Sequence, residues 1–335
     1  MDYGICWIQG TKEFMNDVLL TIDTLRTEFH MPRRTLIAIR DISIQVNKGE
    51  IVGLVGESGC GKSMTAYSIL GIVPKPGIIT NGEIIFQGEN LLNMSAARMQ
   101  AIRGRDISLV FQDPLSSLNP VYDIFWHFLE VYTAHRIKKT KEEKRKEVIH
   151  LLKTVGIQEP EKKLRYYPHQ LSGGMRQRVV IALSLLLKPV LLIADEPTTA
   201  LDVTTQRAIF DLLQELCKTM GISIIVISHD LYLIAEQCDR IYVMYAGEIV
   251  ETGKAEDIIK HPYHPYSVGL MKSIPVLDSH TDELQVIPGE LKNTYTKQLT
   301  QCCFADRCLL ADPECFTAKP QIVKRGNQLV KCIKV

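Results

Sequence analysis

Ile51-Val52-Gly53-Leu54-Val55-Gly56-Glu57-Ser58-Gly59-Cys60-Gly61-Lys62-Ser63-Met64 is the stretch from which the rest of the chain can be read. A continuous apolar run opens it, as expected for a strand buried on both faces of a parallel sheet. Residues Gly56 to Ser63 then match the pattern G-x-x-x-x-G-K-[ST] in full, and an apolar helix is predicted from about Lys62. Glycines at Gly56, Gly59 and Gly61 let the backbone N–H groups around Glu57, Ser58 and Cys60 turn inward on a phosphate. The helix start, with Ser63 and Met64 in its first turn, adds its dipole. Lys62 supplies a positive charge to β- and γ-phosphates, and Ser63 a hydroxyl to Mg²⁺. Cys60 reads either as a reactive thiol in the loop or as a small filler.

Outward from this loop, strands and helices alternate. Leu20–Leu25, Ile42–Val46, Gly82–Phe86 and Ile107–Phe111 read as strands, followed by Val190–Ile193 and Ile222–Ile227. Two short strands are expected around Ala246-Gly247. This alternation predicts an α/β fold with a parallel sheet and crossover helices. From about Leu115 to Pro168 the pattern is charged and strand-poor, and is expected to be an inserted helical arm. Regularity fades from about Pro275, before a cysteine-rich tail.

The chain of 335 residues is 46% hydrophobic, with a net charge of +1. It is long enough for a large core, and that balance does not suggest a nucleic-acid-binding face. The basic run Lys138 to Lys146 is interrupted by Glu142 and Glu143 and reads as a solvated helix face. No apolar stretch is long enough to span a bilayer: Val179 to Ala194 is broken by Lys188-Pro189. Met1 to Asn16 does not have the pattern of a secretory signal. A cytosolic protein is expected, its nine cysteines being thiols or metal ligands.

Three further segments carry chemistry. The strand Val190–Ala194 runs into Asp195-Glu196. Ligands of parallel sheets sit at the carboxyl ends of strands, which suits Asp195 to Mg²⁺ and Glu196 to accepting a proton from water. The Ile222–Ile227 strand runs into Ser228-His229-Asp230, and His229 is expected to reach the γ-phosphate. Leu171-Ser172-Gly173-Gly174 starts a helix with a serine cap and two glycines, a second anion-binding element.

The phosphate loop, the acids Asp195-Glu196 and Leu171-Ser172-Gly173-Gly174 together resemble the nucleotide-binding subunit of ABC transporters, a P-loop NTPase fold. The resemblance implies ATP and Mg²⁺ as cofactors and head-to-tail pairing with a second ATPase subunit, each ATP lying between the loop of one chain and Ser172, Gly173 and Gly174 of the other. It implies that Gln112 senses Mg²⁺ and touches the membrane subunit. It places Asp202 at the dimer interface and gives His229 a switch role beside Glu196 and Lys62. No aromatic residue for adenine stands near Arg33-Arg34; an arginine plane or Phe29 would have to serve.

Phe111–Pro120, Tyr167–Arg178, Ala194–Thr204, Val243–Glu251 and His264–Ser267 are most similar to ATPases of oligopeptide, dipeptide and nickel importers. That resemblance implies two permease subunits, an extracellular substrate-binding protein, and a peripheral place on the cytoplasmic face of the membrane. It divides the chain into an extension (1–18), an ATPase domain (19–270, helical subdomain about 115–180) and a cysteine-rich tail (271–335). Cys302, Cys308, Cys315 and Cys332, with Phe304 and Arg307 in register, match the family's tail. Four thiolates suit zinc or an iron–sulfur cluster, or simply pack as thiols; the family implies [4Fe–4S]. Cys303 is a fifth thiol. A soluble ABC-type ATPase would need a long coiled-coil insertion or two fused halves, and a dead regulatory subunit would not retain Lys62, Asp195 and Glu196.

Overall fold

The computed structural model describes residues 17–199, 201–273, 287–291 and 300–335. The expected N-terminal extension, save Asp17 and Val18, and the region around Pro275 lie outside the described residues. The chain divides into two compact units, residues 1–94 with 227–335 and residues 95–226.

The first unit begins with β1 (Val18–Met31) and β2 (Arg34–Asn47), an antiparallel hairpin whose turn carries Arg33. β3 (Ile51–Val55) is buried along its whole length, as its apolar run requires, and α1 (Lys62–Leu70) follows the phosphate loop. β4 (Gly77–Phe86) and β5 (Glu89–Asn90) complete a four-stranded antiparallel sheet in the order β2-β1-β4-β5. The sequence had predicted only a parallel sheet. Leu20, Ile22 and Leu25 on β1, Ile42 on β2 and Ile84 on β4 are almost wholly buried. Each fully buried aliphatic side chain contributes about 1.5–3 kcal/mol.

The second unit contains α2 (Ala96–Ile102), β6 (Ile107–Val110), α3 (Pro114–Ser117), α4 (Ile124–Ala134), α5 (Lys141–Thr154), α6 (Pro160–Lys163) and α7 (Gly173–Leu185). β7 (Leu191–Asp195) pairs parallel with β6, with Ile107 opposite Leu191. α8 (Val203–Met220) leads to β8 (Ser223–Ser228), within which the division between the units falls. From Pro114 to Leu185 the described elements are helical. α5 starts on a reciprocal cap between Thr140 and Glu143, and Val148, Leu151 and Leu152 form its buried face. The basic residues Lys141 and Lys144 to Lys146 lie on its exposed and half-buried turns.

The chain returns to the first unit with α9 (Leu231–Ala235), β9 (Arg240–Tyr245), β10 (Glu248–Lys254), α10 (Ala255–Lys260) and α11 (Pro265–Lys272). β9 pairs parallel with β3, setting Val52 opposite Arg240 and Val55 opposite Val243. β9 and β10 form a hairpin through Ala246-Gly247. The tail then contributes a second hairpin, β11 (Ile322–Arg325) and β12 (Gln328–Lys331), and β12 pairs antiparallel with β10. The sequence had predicted no strand there. Val330 is the apolar residue that this pairing buries completely, opposite Glu251.

Candidate functional site

The phosphate loop occupies the first unit, between β3 and α1. Its glycines are imposed by close approach. A Cβ on Gly56 would stand 2.1 Å from the Met244 carbonyl oxygen, and one on Gly61, at φ +112°, 2.6 Å from that of Ala38. Gly61 is also the N-cap residue of α1 and brings no capping side chain. A phosphate can therefore take the place that a capping side chain would fill. Lys62 is 4% exposed, and its Nζ donates to the Gly56 and Glu57 carbonyl oxygens at 2.7 and 3.0 Å. The cation is thus folded back across the loop, and Ser58 and Gly59 form the loop's exposed tip. Ser63 and Met64 follow in the first turn of α1, both half-buried.

Of the two readings of Cys60, the structure supports the filler. The side chain is fully buried, and burial pushes its thiol up to about 11, Lys62 opposing. At neutral pH it is protonated and enclosed, the opposite of a reactive thiol.

His229 lies in the same unit, exposed, one residue beyond β8. Asp230 caps α9 by accepting from the Leu233 N–H at 3.0 Å. Arg33 and Arg34 are exposed at the β1–β2 turn, and Phe29 is half-buried on β1, paired with Leu36 and Gly77.

The second unit carries the acidic pair. Asp195, the last residue of β7, is 1% exposed. Glu196 follows in the left-handed region at φ +46°, a conformation that costs a non-glycine residue about 1–2 kcal/mol. Its carboxylate is fixed from two sides: Oε2 accepts from the Gln112 amide at 2.7 Å and from the Thr199 hydroxyl at 2.9 Å. A carboxylate so held cannot rotate freely, which suits a group that must aim at one proton. The sequence predicted Glu196 and Gln112 separately and missed both their hydrogen bond and the part played by Thr199. The spacing Glu196-x-x-Thr199 was the available signal.

Ser172 caps α7, accepting from the Met175 N–H at 3.3 Å. The two glycines after it serve packing as well as exposure of N–H groups. A Cβ on Gly173 would lie 3.1 Å from Leu201, and one on Gly174 only 2.6 Å from the Thr205 methyl. Asp202 caps α8 through Thr205, whose N–H and hydroxyl it accepts at 3.0 and 2.7 Å. Those bonds hold its carboxyl below the usual range, the side-chain bond contributing most. The cap locks Asp202 in place beside Val203, an apolar residue that is 80% exposed.

Each unit carries a hard oxygen ligand of the kind magnesium takes: the Ser63 hydroxyl in the first and the strand-end carboxylate of Asp195 in the second. The glycine cradle and the Lys62 charge suit phosphate.

The tail is different. Cys302, Cys315 and Cys332 are buried and Cys308 half-buried, and the Cys302 N–H donates to the Cys315 carbonyl at 3.0 Å. The charges of Cys302, Cys308 and Cys315 each raise the Cys332 thiol, after the larger effect of burial. The four cysteines therefore converge. Yet among the described residues no three or more of His, Cys, Asp and Glu stand in a group able to hold a metal ion.

The family pattern described as ABC transporter matches residues 39–199, and that described as the oligopeptide/dipeptide transporter C-terminal region matches residues 250–315. The dipeptide transport ATP-binding protein DppD of Haemophilus influenzae is 42% identical over 314 residues, 94% of each chain. The oligopeptide transport ATP-binding protein OppD of Bacillus subtilis is 47% identical over 273 residues, 81% of this chain and 76% of its own.

The chain belongs to the oligopeptide/dipeptide family of ABC transporter ATP-binding subunits.

Solved relatives agree. The ATP-binding cassette MJ0796, described as a dimer in a post-hydrolysis state with ADP and Pi, is 28% identical with a TM-score of 0.62, covering 71% of this chain and 99% of that one. CbiO1 of Clostridium perfringens, part of the ABC transporter complex CbiONQ, is 30% identical with a TM-score of 0.63, covering 73% and 92%. Among the described residues of this ABC subunit, no helix is long and apolar enough to cross a membrane.

Proposed function

We propose that this subunit hydrolyses ATP to drive peptide import through separate permease subunits. Lys62 and the loop N–H groups hold the phosphates, Ser63 and Asp195 serve Mg²⁺, Gln112 orients Glu196, and Glu196 accepts the proton of the attacking water. That proton passes from water to Oε1 or Oε2 as the water oxygen bonds to the γ-phosphorus and the ADP oxygen leaves. His229, exposed at the end of β8, supports the γ-phosphate. The Gln112–Glu196–Thr199 clamp is the observation that carries the reading, since an inactive subunit has no need of an oriented carboxylate.

Ser172, Gly173 and Gly174 act on the nucleotide of a second ATPase subunit, identical or related, with Asp202 at the interface; the exposed Val203 supports this. The subunit sits peripherally on the cytoplasmic side of the membrane beneath two permeases, which receive substrate from an extracellular binding protein. No nucleic acid is involved. Residues 19–270 form the ATPase domain, with a helical subdomain near 115–180, and residues 271–335 the tail. The test is uptake of labelled dipeptide by vesicles carrying the permeases with this subunit. ATP-dependent uptake that vanishes without the subunit is expected. Uptake of nickel and not peptide would overturn the substrate class.

For the tail we propose a [4Fe–4S] cluster on Cys302, Cys308, Cys315 and Cys332. The reading rests on the family's tail pattern and on four cysteines of which three are buried and Cys308 half-buried. Protein purified without oxygen is expected to show a broad absorption near ~400 nm with about four irons per chain. Colourless, iron-free protein would overturn it.

A further inference from the structure

Glu57 poses an electrostatic problem. It places a carboxylate in a loop built to hold a polyphosphate, where one uncompensated charge would repel the ligand. The compensating cation comes from the far end of the chain. Arg307 donates through both terminal nitrogens to Glu57, at 2.7 and 3.0 Å, a two-bond fork. The Arg307 side chain is only 7% exposed. Its Nε donates to the Pro288 carbonyl at 2.9 Å, and a terminal nitrogen reaches the Tyr245 hydroxyl at 3.4 Å.

A second contact joins the same two regions. The Tyr266 hydroxyl, on a side chain with no exposure, accepts from the Glu57 N–H at 2.8 Å. Phe304 lies against both tyrosines, its ring centroid 5.4 Å from that of Tyr266 and 5.1 Å from that of Tyr245. Glu57 is thus held at its backbone by Tyr266 and at its carboxylate by Arg307. Arg307 in turn is carried by the turn Ala305–Arg307 between Cys302 and Cys308.

We infer that Arg307 and Tyr266 are positioning residues of the phosphate loop, and that Arg307 is the counter-ion that makes Glu57 compatible with bound nucleotide. Through this ion pair the cysteine tail sets ATP affinity. The inference rests on the ATP reading above. The ion pair is neutral toward the triphosphate, whereas Glu57 alone is not. Removing Arg307 therefore weakens ATP through charge, and removing the Glu57 charge as well restores it. A purely structural role for Arg307 would produce no such rescue.

The experiment measures MgATP affinity calorimetrically on the full chain, for wild type, Arg307→Met, Arg307→Lys, Glu57→Gln and the double variant Glu57→Gln/Arg307→Met. Thermal midpoints are recorded beside each titration. R307M is expected to bind about tenfold more weakly at low salt, a loss that shrinks as salt screens the freed carboxylate. R307K, which keeps the charge but not the fork, is expected to fall between. In the E57Q background R307M should cost less than about twofold, the coupling a double-mutant cycle isolates. Equal affinity in R307M and wild type, or full loss in the E57Q background, overturns the inference. Should R307M fail to fold, the comparison of Arg and Lys at 307 with and without the Glu57 charge decides the same point. Wild type that binds no ATP would instead overturn the proposed function.

Discussion

Glu196→Gln is expected to lower the hydrolysis rate about a thousandfold while leaving MgATP affinity within a few fold; loss of a positioned general base typically costs 10²–10⁴. The substitution isolates the proton-accepting role because it preserves shape. A glutamine carbonyl still accepts from the Thr199 hydroxyl and the Gln112 amide, the two bonds that hold the carboxylate at 2.9 and 2.7 Å. The left-handed backbone at residue 196 is common to both side chains. Chemistry is therefore lost with little loss of structure. Single-turnover phosphate release is the measurement. A variant that keeps more than a tenth of wild-type rate would remove Glu196 from the role of base.

Lys62→Ala is expected to weaken ATP about a hundredfold and take hydrolysis below detection. The substitution removes the cation from the middle of a cradle of dipoles. The Nζ donates to two loop carbonyls and is almost wholly enclosed. Bound phosphates would draw it from those carbonyls, exchanging neutral acceptors for anionic ones. Charge-assisted hydrogen bonds contribute about 1.5–3 kcal/mol each, and ~2.7 kcal/mol corresponds to about a hundredfold in affinity. Equilibrium binding of a fluorescent ATP analogue tests this. Because the change leaves β3 and α1 packed on Leu54 and Ile69, both about 1% exposed, the thermal midpoint should move far less than the affinity. An affinity within threefold of wild type would show that the loop backbone alone holds the nucleotide.

Several parts of the fold were legible residue by residue. The apolar run Ile51–Val55 is β3 with unchanged bounds, and Arg240 to Gly253 folds as two strands about Ala246-Gly247. These signals are local: burial on both faces demands continuous apolarity, and a tight turn demands glycine. The four-stranded antiparallel sheet was not legible as a sheet, although most of its strands were. Strand direction depends on which neighbour a strand finds, and alternation along one strand does not encode that. The tail hairpin was missed for a related reason. Ile322-Val323 and Leu329-Val330 are apolar pairs too short to show alternation in a polar stretch, and β12 gains its place because β10 presents an edge to it.

The sequence by itself determined where the residue types that the proposed chemistry needs stand: Gly56 to Ser63 in a glycine-rich loop, Asp195 and Glu196 at a strand end, Ser172-Gly173-Gly174 at a helix start, and four cysteines in the tail. Each is a residue type at a spacing, and spacing along a strand, loop or helix is set by backbone geometry alone. Only the tertiary structure decided which groups answer one another. Gln112 lies 84 positions from Glu196, and Arg307 lies 250 from Glu57. No local pattern spans such separations. The pairs form because β6 lies beside β7 in one unit, and because the tail packs beneath the phosphate loop in the other.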